Sequence, residues 1–238
     1  MSPRSAEPPS DEVPGAAVYR CGWGRLRSEI RNPGGLRAIV ENLFRTGMAK
    51  GEMRMREETV LYSGGANGAE YEFGVQAERF GIEEIHFTFE GNDIARARGV
   101  RMLSREELRN GDVSLSYVSR LMNRTYSDTP RIRKVLQTIW YQVNAGQEIF
   151  VIGKILGDGT VRGGTGWGAE FAKLCNKPIF VFDQDADRWF RWAGDKWSEV
   201  TEAGEPRIRS PRFTGTGTRF LEENGRRAIR DLFDRSFA

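Results

Sequence analysis

The first periodic run of apolar positions is Leu36, Ile39, Val40, Leu43 and Phe44, a helical spacing that stops at Gly47. A charged stretch then leads into Thr59 to Tyr62, a short β-rich segment running into glycines, which reads as a buried strand. Phe73, Val75, Ala77 and Phe80 lay an apolar stripe on a helix over 69–80, and EEIHFTFEG follows as a second strand. Strand, glycine loop, helix and strand together occupy about thirty residues, the size of a parallel βαβ unit. Ser104 stands three residues before Glu107, the spacing of a capping box. The next segment, DVSLSYVSRLM, fits either a strand or the start of a helix.

The strongest amphipathic helix follows, with Ile132, Val135, Leu136, Ile139, Trp140 and Val143 on one stripe, opened by Pro130 and stopped by Gly146. EIFVIGKI reads as a buried strand, GDGTVRGGTGWG as a glycine-rich segment, AEFAKLCN as a short helix and KPIFVFD as a further strand. Aromatics flanking Ala193 to Asp195 predict a β-hairpin, and PRFTGTGTRFLEENGRRAIRDLFDRS predicts a last strand, loop and helix. Strands alternating with helices place the chain in the α/β class with a parallel sheet. Residues 1–16 hold four of the nine prolines and little that buries, so a loosely docked tail is expected there, with a single domain over 17–238.

Composition narrows the chemistry. The 238 residues suit one large domain, and 36 Lys and Arg against 33 Asp and Glu leave a net charge of only +3. That balance disfavours an obligate nucleic-acid binder. A mean hydropathy of −0.54 and the lack of a long apolar run argue against a membrane span, and the polar, Pro-rich N-terminus argues for a cytoplasmic protein. Two distant cysteines, Cys21 and Cys175, make no disulfide framework or metal site. With His86 the single histidine, catalysis by Ser-His-Asp or Cys-His and His-rich metal sites lose ground, and no metal or cofactor is expected. Carboxylates, arginines and backbone amides remain. The 28 glycines stand well above the usual share of about 7%.

Those glycines concentrate in three loops, each between a strand and a helix. The first offers Ser63, Gly64, Gly65, Asn67, Gly68 and Glu70, the second Arg162, Gly163, Gly164, Thr165, Gly166 and Trp167, and the third Thr216, Gly217, Thr218 and Arg219. Missing side chains let backbone N–H groups approach a ligand, and the helix that follows favours a phosphate. The first loop is neither G-x-G-x-x-G nor a P-loop, because the spacing differs and no Gly-Lys-Ser/Thr follows. Loops after parallel strands meet at the carboxyl edge of a sheet, where open α/β sheets bind ligands.

The motifs SGGANGAE and GGTGWGAE resemble, respectively, the SGGA-x-GA-D/E motif of DNA-processing-protein-A (Smf) proteins and the PGGxGTxxE motif of LOG-like phosphoribohydrolases, two sides of the SLOG superfamily. The resemblance covers roughly residues 58–185. It implies a three-layer Rossmann-like sheet with helices on both faces, a small-molecule nucleotide as ligand and a homodimer. It also implies hydrolysis of the N-glycosidic bond of nucleoside 5′-monophosphates, with Glu170 and Arg133 as the catalytic residues. Arg162 stands where that motif has proline and Trp167 where it usually has threonine, so Trp167 suggests a stacking face for a base. The segment FTGTGTR resembles the GIGSR loop on the first strand of several such proteins, which implies a circularly permuted strand order, provided the last strand lies beside strand 59–62.

Within that reading Glu170 stabilises an oxocarbenium-like transition state, Arg133 or Arg219 neutralises phosphate, and Asn67 and Glu70 touch ribose hydroxyls or base edges. A non-catalytic sensor of a nucleotide or ADP-ribose-like signal is the alternative. Single-strand DNA handling is a third reading, since Trp189, Phe190, Trp192 and Trp197 interleave with Arg188, Arg191 and Lys196. A hairpin packed on the sheet edge explains the same aromatics. His86 reads as a core histidine, Arg96, Arg98 and Arg101 as a solvated basic face or part of an anion site, Asp183 and Asp185 as loop residues at the ligand edge, and Cys175 as a buried thiol.

Overall fold

The computed structural model describes residues 58–201, 204 and 206–238, all within one compact unit. The tail expected over 1–16 and the helix expected over 36–44 lie outside the described residues.

Eight strands form one sheet. In chain order they are β1 (Val60–Ser63), β2 (Glu83–Phe89), β3 (Val100–Leu103), β4 (Glu148–Gly153), β5 (Ile179–Asp183), β6 (Arg188–Trp192), β7 (Trp197–Glu199) and β8 (Arg212–Gly217). The helices among the described residues are α1 (Ala69–Arg79), α2 (Arg105–Arg109), α3 (Asp112–Leu121), α4 (Pro130–Ala145), α5 (Thr165–Leu174) and α6 (Glu223–Phe237). Across the sheet the order is β3-β2-β1-β8-β4-β5-β6-β7. The first six of these run parallel, and β6 and β7 add an antiparallel edge. The architecture is α/β with a mostly parallel sheet, as the alternation of elements predicts. The last strand in the chain, β8, sits at the centre, with Leu61 beside Phe213 on one side and Phe150 beside Gly215 on the other.

Period-two alternation divides the core. Phe150 and Ile152 of β4 pack with Phe73 and Ala77 of α1 and with Ile229 and Phe233 of α6. Their neighbours Ile149 and Val151 pack instead with Leu136, Ile139 and Val143 of α4 and with Trp167 and Phe171 of α5. Every residue of β4 is buried, which explains its uninterrupted apolar run. Lys177 closes α4 by donating to the carbonyls of Val143 and Asn144 at 2.7 and 2.9 Å.

Several boundaries follow local chemistry. The capping box is present, with Ser104 accepting from the Glu107 N–H and Glu107 from the Ser104 N–H. The ambiguous DVSLSYVSRLM is helical, because Leu115 and Val118 bury on one side while Val113, Tyr117 and Leu121 stay exposed. The edge strand β3 escapes the sequence pattern, since Val100, Arg101 and Met102 are exposed and only Leu103 is buried. The predicted helix AEFAKLCN begins earlier, at Thr165, so the second half of the glycine segment is the first turn of α5. Cys175 is exposed rather than buried, because it caps α5 beyond the last inward-facing turn. The hairpin forms as predicted, with Trp192 opposite Trp197 and the Ala193 N–H donating to Lys196.

Among the described residues no helix is long and apolar enough to cross a membrane, and no group of three or more His, Cys, Asp and Glu is placed to hold a metal ion.

Candidate functional site

The central strands β1, β8 and β4 are adjacent and parallel, so the loops at their carboxyl ends leave the sheet side by side. The first and third are stitched together. The Ala69 N–H donates to Thr218 O at 3.0 Å, the Ser63 hydroxyl to Gly215 O at 2.7 Å, and the Thr218 N–H to Ile152 O of β4 at 2.8 Å. Gly68 at this seam has φ +92°, and a Cβ there would sit 2.5 Å from Thr218 O. Glycine is therefore required twice, once for the backbone angle and once for the approach.

The second loop reaches the same edge after an excursion over 154–161. Ile155 and Val161 pair across it, and Arg124 binds it from outside through Thr160 Oγ1 at 2.7 Å and the carbonyls of Val161 and Gly163. Trp197 and Lys173 both donate to Gly159 O, at 2.7 and 2.9 Å. The excursion is a packed support for Arg162 to Thr165.

The three loops open into one cleft of about 1040 Å³, near the upper end of the range for small-molecule sites. From the predicted residues it takes Gly64 and Glu70 of the first loop, Arg162, Gly163, Gly164 and Thr165 of the second, and Thr216, Gly217, Thr218 and Arg219 of the third. Helix α4 forms the facing wall through Arg131, Val135, Thr138, Ile139 and Gln142, the 3.6-residue face of one helix side. Gln184 fixes the floor: its amide donates to Phe220 O at 3.1 Å, and its oxygen accepts from the Glu222 N–H at 2.9 Å. Phe220 itself stands 85% exposed at the rim.

Glu70 is the buried acid of this cleft. One oxygen accepts from the Ala66 N–H at 3.0 Å and the other from the Thr216 hydroxyl at 2.8 Å, which ties the first loop to β8. Burial pushes its carboxyl above the usual range, outweighing the pull of those two donors and of the Arg219 charge. Arg131, Arg162 and Arg219 are exposed at the rim, and none makes an ion pair among the described residues. Lys154, also at the rim, pairs with Asp185.

Other predicted site residues lie elsewhere. Ser63 is buried and acts as a strut, while Asn67 accepts from the Gly68 N–H and shapes the turn. Gly65, Asn67, Gly68 and Gly166 support the cleft without lining it. Trp167 is a core residue, 5.7 Å from the Tyr126 ring, so it offers no stacking face to a ligand. Glu170 and Arg133 do not line the cleft either. At about 100° per residue, Glu170 stands about 140° round α5 from Thr165. Its carboxylate instead meets Lys173 Nζ at 2.7 Å in a separate hollow of about 370 Å³ beside Trp192 and Trp197. Arg133, two residues past Arg131, turns to Asp112 at 3.3 Å and lies 4.4 Å over the Tyr126 ring.

The remaining candidates are structural. Arg96 is not part of a basic face: it is buried and binds Glu84 through two 2.7 Å bonds and Glu78 through a third. His86 is fully buried with Nε2 3.0 Å from Glu84, as a core histidine would be. Asp183 accepts from the N–H groups of Ile155, Asp185 and Ala186 and so orders the loop after β5. Trp189 packs edge-on against Phe150 and Phe182, and the Lys173 ammonium lies 3.9 Å over Trp192.

Sequence reasoning missed the α4 wall and Phe220. The readable signal was Thr138 and Gln142, polar residues on the same helix side as Val135 and Ile139. Comparison with family models, with curated proteins and with solved structures found no match to this chain.

Proposed function

We propose that the cleft binds a nucleotide. The observation that carries this reading is the convergence of three glycine loops, distant in sequence, on one cavity. Their backbone N–H groups and the start of α5 suit a phosphate, and Arg131, Arg162 and Arg219, which make no ion pair among the described residues, supply the countercharge. The exposed Phe220 ring and the aliphatic side of Ile132 and Val135 give a base an apolar surface. The reaction that fits such a site, and that the SLOG-like motifs imply, is hydrolysis of a nucleoside 5′-monophosphate at its N-glycosidic bond.

The same reading treats the sheet as a three-layer Rossmann-like core in a cytoplasmic homodimer. It also treats β8, parallel to and beside β1, as the first strand of the SLOG order carried to the far end of the chain. A second reading is a nucleotide or ADP-ribose-like signal sensor without turnover. It is favoured by one observation: Glu170 and Arg133, the residues the resemblance marks as reactive, are engaged in ion pairs outside the cleft. Single-strand DNA handling has less support, because the aromatic segment is used in packing within the chain.

A thermal-shift series with nucleoside mono-, di- and triphosphates and ADP-ribose tests the reading, with mass detection of released base. A ligand at a hundred times its dissociation constant contributes about 2.7 kcal/mol, so a rise of about 5 °C or more is expected for the best nucleotide. No shift with any of them would overturn it. A shift without base release selects the sensor.

A further inference from the structure

The carboxyl group best placed to act on a ligand in the cleft is Glu70, on α1, and it meets a second polar side chain there. A Cβ on Gly64 would lie 2.5 Å from Gln142 Nε2 and 2.7 Å from Glu70 Oε2, so the amide of α4 and the carboxyl of α1 converge on one point above the first glycine loop. Both side chains are more than nine-tenths buried, Glu70 at 8% and Gln142 at 1% exposure. Gln142 Oε1 has no hydrogen-bond partner among the described residues, although Gln142 lines the cavity. A buried amide oxygen left unpaired costs free energy, and a ligand donor in the cleft would satisfy it.

Glu70 is held in place without being neutralised. Among the described residues its hydrogen-bond partners are the Ala66 N–H and the Thr216 hydroxyl, and no cation lies in hydrogen-bond contact with it. Glu170, by contrast, is closed off by Lys173. From the neighbouring elements the charged and titratable groups that face Glu70 are Arg219 of the third loop and His86 of β2.

We propose that Glu70 is the proton donor of the cleft and that Gln142 holds the sugar of the ligand against it. This rests on the nucleotide-binding reading above. In the step, the Glu70 carboxyl gives its proton to the ring nitrogen of the base as the bond from that nitrogen to C1′ breaks with its electron pair leaving on the base. Water then adds to C1′, and its surplus proton returns to the Glu70 carboxylate. The products are free base and ribose 5-phosphate, and the enzyme is restored.

Adenosine, guanosine, cytidine and uridine 5′-monophosphates are the probes, offered to the full chain and to E70Q, Q142A and E170Q. Binding is read by calorimetry and base release by mass. For the best substrate, E70Q is expected to bind within about threefold of wild type while base release falls at least a hundredfold. Q142A weakens binding about tenfold, and E170Q keeps the wild-type rate within a few-fold. Wild-type activity falls as pH rises through the titration of Glu70, and any residual rate of E70Q lacks that limb. The inference is overturned if E170Q loses base release while E70Q keeps it, or if wild type binds a monophosphate and releases no base. The latter result leaves the binding reading standing, whereas absence of binding by wild type overturns both.

Discussion

At the residue scale, burial decides which charged groups serve the fold and which face the cleft. Glu84 has a fully buried side chain on β2 and is bound by Arg96 and His86. Burial alone would raise its carboxyl, but the hydrogen bonds from Arg96 and His86 outweigh it and hold the group below the usual range. A depressed carboxyl contributes stability above its unfolded value and loses it as pH falls through the folded one. Wild type is therefore expected to destabilise more steeply than E84Q on acidification below the ordinary carboxylate value of 4.5, in parallel denaturant titrations across pH. At neutral pH, E84Q leaves a buried guanidinium short of its counter-ion, and a loss of about 3 kcal/mol in unfolding free energy is expected. Glu70 has the opposite sign. Its raised carboxyl costs stability as pH rises through the ordinary value, a cost that a functional position tolerates.

At the element scale, the seam between the first and third loops holds the cleft. G68A places a methyl against Thr218 O in a backbone region that L residues rarely adopt, and about 1 to 3 kcal/mol of destabilisation is expected. Thermal unfolding measures that cost. Nucleotide affinity should fall further than stability, because both loops must shift to make room. The same seam shows how far sequence carries. The loops were legible because glycines interrupt a change from period two to period 3.6, a local signal. The angle of a residue around its helix depends on where the helix begins. The family resemblance assigned Glu170 to the site; α5 starting at Thr165 turns it away from the cleft. Gln142 went unread for a related reason: a polar residue on an apolar stripe signals a cavity only once the facing elements are known. The edge strand β3 buries only Leu103, so it had no alternation to read.

At the scale of the whole molecule, connectivity is the unusual property. The α/β class was legible from the alternation of elements, but the position of β8 was not, because chain order says nothing of which gap a strand fills. Only the resemblance of FTGTGTR to a first-strand loop pointed to a place beside β1, where β8 indeed lies. Phe213 is fully buried there, and Phe150 and Phe233 stack edge-on against it, at 6.2 and 5.8 Å. A chain cut at residue 205 would leave β1 and β4 with a central gap and an open row of backbone groups on each side. Loss of cooperative unfolding is expected for it, read by circular dichroism and denaturant titration against the full chain.

The order of synthesis adds a temporal meaning to that central position. Every strand that β8 touches has been made before it, so the two flanks of the sheet wait, unjoined, until the segment over 212–217 arrives. The third loop follows directly, and with it the Thr216 hydroxyl that engages Glu70. A half-made chain thus carries two of the three loops yet has no cleft. Competence to bind would switch on abruptly once that segment has emerged, rather than accumulate as the chain lengthens.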